Sequence, residues 1–431
     1  MDLALACPRV RASAEASAAR RRGTVQGSRE LFRPLADGSV TSASGFQAGA
    51  VYAGIKTPGP DKLDLAILAS DRPAAVAGTL TQNSFAAAPV LLCRERLRGG
   101  QGQAVIVNAG NANACTGEQG LADAQEMARL AAEKVGIGAD QVLVASTGVI
   151  GVPLPMDLIR RGVGAIELSP DGGGQMARAI MTTDTRPKEV AVELELGGRT
   201  VRMGGIAKGA AMIHPNMATM LAFVATDAMV DPDFLRRAAR EAVADSFNMI
   251  TVDGDTSTND TLLVLANGAA GNGLVRGGPD GEALNAALTH VCAELARAMV
   301  ADAEGATRVI RVDVSGARSD GEARAAARAV AQSNLLKAAV YGADPNWGRV
   351  LCAIGYSGAQ VDPMAVDLHV GDVQLVRAGA PVAGSREAAA DVMQGSEVQF
   401  RADLHVGDST ATAWGCDLTE AYVHENSAYT T

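Results

Sequence analysis

The chain has 431 residues, which is enough for a large core and roughly one to three domains. Hydrophobic residues make up 48% of it but aromatic residues only 3%, and its net charge of −10 comes from interspersed acidic and basic side chains. This charge balance argues against nucleic acid or an anionic membrane as a partner, and no apolar run approaches the roughly 20 residues that span a bilayer. The six cysteines and five histidines are dispersed, without a CxxC pair, so neither a disulfide framework nor a metal site is indicated.

The first 38 residues differ from the rest of the chain in composition. They contain Arg9, Arg11, the run Arg20–Arg22 and several serines and alanines, with few acidic residues before Glu30. Such a segment is typical of an organellar transit peptide, and it lacks the hydrophobic stretch of a secretory signal. We therefore expect residues 1–38 to be a leader, most simply for a plastid, with a mitochondrial or cytoplasmic location as the alternatives. A disordered bacterial tail or a misassigned start codon is the competing interpretation.

From Val40 onward, strand and helix patterns alternate. Strands are predicted for TSASGFQAGAVYAGI, DLAILAS, AVIVNAG and VLVAS, and helices for 118–135, 155–167 and QMARAIM. In the helix over 118–135, Leu121, Met127, Leu130 and Val135 are expected to share one apolar face. The stretch EVAVELEL–GG–RTVRMGGI predicts a hairpin that delivers the chain to Lys208.

The segment that follows the hairpin, GGIAKGAAMIHPNMATMLAFVATDA, joins a glycine-rich approach to a run of small and apolar residues that begins at Thr219. Such a run is typical of a buried strand, and it would place the Thr219 hydroxyl at the mouth of that strand. If the bond before Thr219 were cut, its own α-amine, with a pKa of roughly 7.7–8.0, would lie beside its Oγ and could act as a base. The competing interpretation is a β-branched residue packed in a strand.

After Thr219, the pair Asp231-Pro232 is typical of a helix N-cap and first turn, and this helix is expected to run through Phe247. Further helices are predicted over 281–301 and 321–339, and strands in AVDLHV, SEVQFRADLHV and ATAWGCDL. The order of elements predicts one large α/β unit followed by a smaller mixed domain from about residue 340.

Several polar clusters are candidates for chemistry. The turn predicted at Ser146–Gly151 lies between a strand and a helix, where backbone N–H groups and the Thr147 hydroxyl could face a developing oxyanion; an ordinary capped connection would have the same pattern. The run Thr251–Thr261 is superficially similar to a calcium loop, but it lacks the glycine at position six and the glutamate at position twelve. We interpret it as a turn that supports the site, without a catalytic role for its residues.

Taken in order, the motifs STG, TTD, AKGA, ATML, STNDT, AEGATR, DPNWGR and the NSAYTT end resemble those of one family. The chain is similar, from near Val40 to Thr431, to the ornithine acetyltransferases, the bifunctional glutamate N-acetyltransferases of arginine biosynthesis. The resemblance implies an α/β fold of the self-cleaving threonine-nucleophile acyltransferases, similar to DmpA and ornithine acetyltransferase. It also implies that the chain cuts itself between Ala218 and Thr219 into an α chain over 39–218 and a β chain over 219–431.

The resemblance also implies roles for single residues. Thr219 would be the nucleophile, and Thr147 and Gly148 would form the oxyanion hole. Thr182 and Lys208 would bind substrate. From the residues alone, Thr182 could equally be a solvated threonine at the end of a helix, and Lys208 a solvated surface cation.

Three more substrate-binding positions follow from the same resemblance. Glu304 would be a carboxylate suited to an ammonium group, although by itself it is equally a surface acid. Asn426 and Thr431 match the terminal positions of the family, which is unusual because chain ends are commonly frayed.

The expected reaction transfers the acetyl group of N2-acetyl-L-ornithine to L-glutamate through an acetyl-Thr219 intermediate, with acetyl-CoA as a second potential donor and no cofactor. The resemblance implies a heterotetramer of two α and two β chains, and no nucleic-acid or membrane partner is expected. A self-cleaving amidohydrolase or aminopeptidase, in which water replaces glutamate, is the alternative enzyme. A non-catalytic binding protein with the same fold is the third interpretation, and it predicts an uncut chain.

Overall fold

The fold is known from a computed structural model that describes residues 31–56, 62–214 and 220–428. Among these residues the strands are β1 Arg33–Pro34, β2 Phe46–Val51, β3 Leu65–Leu80, β4 Gln101–Asn111, β5 Val142–Val149, β6 Lys188–Leu196, β7 Arg199–Lys208, β8 Leu221–Thr226, β9 Ile250–Thr251, β10 Thr261–Ala266, β11 Val309–Ala317, β12 Asp367–Val370, β13 Val373–Arg377, β14 Ala380–Pro381, β15 Glu397–Asp403 and β16 Ser409–Cys416. The α-helices are α1 Ala88–Arg96, α2 Gly117–Val135, α3 Met156–Ala165, α4 Gly173–Ala179, α5 Pro232–Ala244, α6 Gly278–Val300, α7 Asp320–Gln332, α8 Asn334–Tyr341, α9 Trp347–Tyr356, α10 Arg386–Val392 and α11 Glu420–Ala428. No described helix is both long and apolar enough to cross a membrane.

The described strands form two sheets. The nine-stranded sheet has the order β1-β6-β7-β8-β10-β3-β4-β5, and β2 pairs with the first half of β3, on the side opposite β4. The seven-stranded sheet has the order β14-β13-β12-β15-β11-β16-β9. It therefore takes β9 and β11 from before residue 340, and the domain boundaries given above stay predictions.

The strand β8 lies near the middle of the nine-stranded sheet, antiparallel to β7 and parallel to β10. All six of its residues are buried. Ala222 and Val224 belong to the core cluster that also contains residues of α5 and α6, whereas Phe223 and Ala225 face a second cluster that contains residues of α4. Because both faces of the strand are covered, its sequence is a continuous apolar run, as the sequence predicted.

Several predicted elements are present with different boundaries or faces. In α2 the buried residues are mainly alanines with Met127, while Leu121 is 37% exposed. The prediction that Leu121 belongs to the buried face of this helix was therefore wrong. The helix predicted over 321–339 is broken at Ser333, whose extended backbone ends α7 and whose hydroxyl accepts from Leu336 N to cap α8. Asp231 caps α5 as predicted, but that helix ends at Ala244 and a short 3₁₀ turn follows over Phe247–Met249.

The first described residues are part of the nine-stranded sheet. Residues of β1 pair with β6, and the Arg33 guanidinium forms a salt bridge with Glu193. Phe32 is buried and its ring lies 4.7 Å from the ring of His290, measured between centroids. Phe32 and β1 are therefore attached to this sheet, although the predicted leader was drawn to residue 38.

Candidate active site

A cleft forms where six separate segments of the chain meet. Its empty volume is about 540 Å³ including the open mouth, which is the size of a small-metabolite site. The lining residues are Ala112, Thr147, Gly148, Ile150, Thr182, Thr183, Lys208, Ala211, Met212, Ser257, Thr258, Asn259 and Glu304. The structure thus brings together Thr147, Gly148, Thr182, Lys208 and Glu304, which are far apart in the sequence.

Thr147 and Gly148 lie near the end of β5, next to β4. The turn predicted at Ser146–Gly151 is therefore wrong for its first residues, because β5 continues through Val149 in parallel register with β4. Gly148 has a φ of +129°, and a Cβ there would lie 2.3 Å from the backbone carbonyl of Gly110. Only glycine fits this conformation and this close approach, which leaves the backbone beside Thr147 open to the cleft.

Lys208 is the last residue of β7, and only 3% of its surface is exposed. Its Nζ lies 3.4 Å from Oγ1 of Thr147. Burial lowers the pKa of Lys208, while the nearby Asp184 carboxylate opposes that shift. The ammonium therefore sits in a poorly hydrated place, where an anionic ligand would be attracted strongly.

Asp184, the aspartate of the TTD motif, organises one wall of the cleft. Its carboxylate accepts from Thr182 N at 3.0 Å, from Gly209 N at 2.7 Å and from Lys188 Nζ at 2.6 Å. Burial alone would raise its pKa, but Lys208, Lys188 and the Gly209 N–H outweigh that effect and lower the pKa to about 2. Asp184 therefore stays ionised and ties the Thr182 loop to the end of β7.

Glu304 lies in the turn that follows α6. Its backbone N–H donates to the carbonyl of Ala210 at 3.0 Å, which fixes this turn against the segment that leaves β7. Its Oε2 accepts from Asn426 Nδ2 at 2.9 Å, so α11 contacts one of the residues that line the cleft, and a substrate-binding role for Asn426 stays a prediction. Thr431 lies outside the described residues.

Ala218 and Thr219 also lie outside the described residues, but the chain is described on both sides of them. Before them, Met212 has a left-handed φ of +55°, and the N–H groups of Met212 and Ile213 donate to Asp253 at 2.6 and 2.9 Å. After them, Met220 N donates to Asp260 Oδ1 at 2.9 Å. Both ends of the segment that carries Thr219 are thus held by carboxylic side chains of one turn, residues 252–260.

That turn contributes to the cleft more than the sequence indicated. Ser257, Thr258 and Asn259 line the cleft, and the sequence interpretation gave them no role in it. Asn259 Nδ2 donates to the carbonyls of Ala112 and Ser146 at 2.6 and 2.8 Å. In the sequence these contacts are indicated only by an unusually polar run between two predicted strands. A sequence does not show which backbone groups the side chains of such a run will hydrogen-bond.

The described residues contain no group of three or more His, Cys, Asp or Glu side chains arranged to hold a metal ion.

The ArgJ family profile matches residues 47–431. The chain belongs to the ArgJ family. The family and the α/β class predicted from the sequence are thereby confirmed.

Individual ArgJ relatives match over nearly their whole length. The arginine biosynthesis bifunctional protein ArgJ of Symbiobacterium thermophilum is 58% identical over 401 residues, which are 91% of this chain and 99% of that protein. The protein of the same name from Geobacter sulfurreducens is 51% identical over 394 residues, covering 90% of this chain and 100% of that one. Among solved structures, ornithine acetyltransferase from Mycobacterium tuberculosis in complex with ornithine is 38% identical, covers 44% of this chain and 100% of its own, and has a TM-score of 0.39.

Proposed function

We propose that this ArgJ-family chain is an acetyltransferase of arginine biosynthesis that moves the acetyl group of N2-acetyl-L-ornithine to L-glutamate. The observation that carries the proposal is the cleft at the end of β7, where a hydroxyl, a buried cation and a carboxylate lie close together on the part of the chain that leads to Thr219. The relatives' name supports the pathway.

In the proposed reaction Thr219 Oγ attacks the acetyl carbonyl carbon of the donor. The Thr147 hydroxyl and the Gly148 N–H stabilise the oxyanion that forms, because donors held in place in a dry cleft are worth more than donors in water. Ornithine leaves and the acetyl group stays on Thr219 as an ester. The amine of glutamate then attacks this ester, so that one difficult transfer is divided into two steps. The α-amine of the cut Thr219 serves as the base in each step.

The charges of the cleft suit amino-acid substrates. Lys208 offers a buried ammonium group and Glu304 a carboxylate that is already oriented by Asn426. A zwitterionic substrate can pair with both at once, and charge-assisted hydrogen bonds of this kind are stronger than neutral ones. Thr182 lines the same cleft, on the loop that Asp184 holds, and we assign it to substrate binding with Asn426 and Thr431.

Maturation and assembly are part of the same proposal. The chain cuts itself between Ala218 and Thr219, and the α and β fragments assemble as a tetramer of two each. The composition of residues 1–38 supports delivery to a plastid, with a cut before Val40.

The function is tested with the purified full chain, N2-acetyl-L-ornithine labelled in the acetyl group, and L-glutamate. Labelled N-acetylglutamate and an acetylated β fragment are expected. Release of free acetate at the same rate with and without glutamate would identify an amidohydrolase instead. A parallel reaction with acetyl-CoA as the sole acetyl donor shows whether the enzyme also acetylates L-glutamate from acetyl-CoA.

A further inference from the structure

Lys188 is a buried lysine at the start of β6 that the proposed reaction does not use. It is 2% exposed, and its Nζ donates to Asp184 Oδ1 and to Asp302 Oδ2, at 2.6 Å in each case. Both carboxylates are buried as well. Buried charges are expensive unless they are paired and hydrogen-bonded, and one ammonium group between two carboxylates meets that condition. We call these three side chains the Lys188 bridge.

One end of the Lys188 bridge holds the part of the cleft that contains Thr182 and Lys208. Asp184 lies two residues after Thr182 and accepts from its backbone N–H at 3.0 Å. Asp184 also accepts from Gly209 N at 2.7 Å, and Gly209 directly follows Lys208. The backbone at both proposed substrate-binding residues is therefore attached to a carboxylate that Lys188 pairs with.

The other end of the Lys188 bridge holds the turn that contains Glu304. Asp302 lies two residues before Glu304, and its Oδ2 accepts from Thr185 N at 3.0 Å as well as from Lys188. The Glu304 N–H also donates to the carbonyl of Ala210, at 3.0 Å. One attachment would let the turn rotate about it, whereas two separate attachments fix its orientation relative to the end of β7.

Lys208 and Glu304 are the two charged groups between which the proposed donor would lie, since both line the cleft. In N2-acetyl-L-ornithine the α-nitrogen is acetylated and uncharged, so the charges of the molecule are its α-carboxylate and its side-chain ammonium group. The number of side-chain methylenes sets the distance between them. A cleft whose own two charges are held at a fixed separation therefore fits one side-chain length, because a wrong length loses a charge-assisted hydrogen bond.

We propose that Lys188 is a positioning residue that fixes the separation of Lys208 and Glu304 and so selects the amino-acid substrate by the length of its side chain; this rests on the proposed function. Lys188 is not among the described residues that line the cleft. It acts through Asp184 and Asp302, which place the backbone on the two sides of the cleft. A purely structural role would stabilise the fold and leave the preference between substrates of different length as it is.

The test uses the double variant Lys188→Met/Asp302→Asn. Removing the ammonium group alone would leave two buried carboxylates without their shared cation, which is strongly destabilising. In the double variant, methionine fills a similar volume, and asparagine keeps an oxygen that accepts from Thr185 N. Asp184 keeps a counter-charge, since Lys208 is already one of the cations that lower its pKa.

Glu193→Gln is the matched control on the same strand. Glu193 is buried and accepts from Arg33 Nε at 2.9 Å and from Arg202 Nε at 3.1 Å. It is not among the described residues that line the cleft. Its replacement therefore weakens a buried ion-pair network of β6 without moving either charge of the site.

The experiment measures kcat/KM for acetyl transfer to L-glutamate from three donors: N2-acetyl-L-ornithine, N2-acetyl-L-lysine, which has one methylene more, and the homologue with one methylene fewer. One methylene changes kcat/KM by roughly 10- to 200-fold in a pocket shaped for its substrate, and the wild type should favour the ornithine derivative by a ratio in this range. This ratio should be about tenfold lower in the double variant, mainly because KM for the ornithine derivative rises. Glu193→Gln should keep the wild-type ratio.

An unchanged ratio in an active double variant would overturn the inference, as would a wild type that does not distinguish the three donors. If the double variant does not fold, Asp302→Asn decides alone. It removes one carboxylate of the Lys188 bridge and keeps the other, so its ratio should also fall, and an unchanged ratio would overturn the inference.

A wild type that transfers acetyl from none of the donors would contradict the proposed function instead. Calorimetric titration with free L-ornithine, L-lysine and the shorter homologue then measures the same length preference without turnover. Equal dissociation constants in the wild type, or a preference for ornithine that the double variant retains, would overturn the role of Lys188. A preference that only the wild type shows would support it.

Discussion

The hydroxyl of Thr147 and the ammonium of Lys208 lie 3.4 Å apart although 61 positions separate them in the chain. This distance is long for a strong hydrogen bond, so neither group is fully occupied by the other. Both can therefore turn to a ligand in the cleft. Because Lys208 is the last residue of β7, the pair also places the proposed oxyanion hole at the end of that strand.

Thr219→Ala should remain one full-length, folded and inactive chain, because both maturation and acetyl transfer require the same hydroxyl. The wild type should run as two fragments of nearly equal size, the first ending at Ala218. Thr219→Ser keeps the hydroxyl and should cut and turn over slowly. A denaturing gel and the labelled-acetyl assay measure both effects. Cutting of Thr219→Ala at the same bond would remove Thr219 from the mechanism.

Lys208→Ala and Glu304→Gln should each lower kcat/KM for acetyl transfer about 10- to 100-fold, the value of a lost hydrogen bond to a charged group. Both chains should fold. Asp184 keeps its contacts with Lys188 and Gly209 when Lys208 is removed, and a glutamine at 304 still accepts from Asn426. The exposed Lys134→Ala is the control for loss of a cation and should leave the kinetics unchanged. Wild-type kinetics in both site variants would contradict these assignments.

Asn259→Ala should lower both stability and kcat, because the buried carbonyls of Ala112 and Ser146 lose their donor. We expect a loss of about 2 kcal/mol in the free energy of unfolding. The drop in kcat follows from the direct bond between Ser146 and Thr147. Urea unfolding and steady-state kinetics provide the two measurements.

Asn272 is the matched control for that change. It is also buried, and its Nδ2 donates to the carbonyl of Gly273 at 2.7 Å, outside the residues that line the cleft. Asn272→Ala should therefore lose stability while kcat stays the same. Equal loss of kcat in the two variants would show that the Asn259 contacts only stabilise the fold.

The ionised Asp184 makes a pH-dependent contribution to stability. Its folded pKa of about 2 lies below the unfolded value of 3.8, so the folded state holds the proton more weakly. The contribution is fully present well above pH 3.8 and is lost as the pH falls toward 2. Urea unfolding between pH 5 and pH 3 should therefore give a shallower loss of stability in Asp184→Asn than in the wild type. Equal slopes would show that the pKa of Asp184 is not lowered in the folded protein.

The predicted leader should be removed before Phe32, because Phe32 and β1 are packed against β6 and His290. N-terminal sequencing of the α fragment from its native source measures the cut. A chain that starts at Val40 loses these contacts and should be less stable to heat than one that starts at Leu31. Retention of Met1–Arg22 in the mature protein would contradict the leader prediction.

Patterns with a strong local cause were readable from the sequence. The hairpin at Gly197–Gly198, the Asp231 cap and the buried strand after Thr219 each depend on residues that are neighbours in the chain. The family motifs then brought Thr147, Lys208 and Glu304 into one hypothesis, and the cleft contains all three.

What the sequence did not provide depends on distant partners. The break at Ser333 interrupts a run that is otherwise typical of one helix, and the buried face of α2 is set by how closely small alanines allow neighbours to approach. Asn259 and Asp260 read as turn residues because their partners, the Ser146 carbonyl and the Met220 N–H, are backbone groups that every residue carries. Only the fold decides which of them is left without another partner.

The position of β8 and β10 between β7 and β3 has a consequence for the cut protein. Cleavage before Thr219 would leave two strands of one polypeptide inserted in the middle of a sheet built by another, hydrogen-bonded to β7 on one side and to β3 on the other. Neither fragment then has the whole nine-stranded sheet. Unfolding would separate two molecules, and recovery would require them to meet again, so its rate would fall on dilution. The uncut precursor can refold as a single chain. The mature enzyme, once unfolded in dilute solution, would regain its fold only when the two fragments meet.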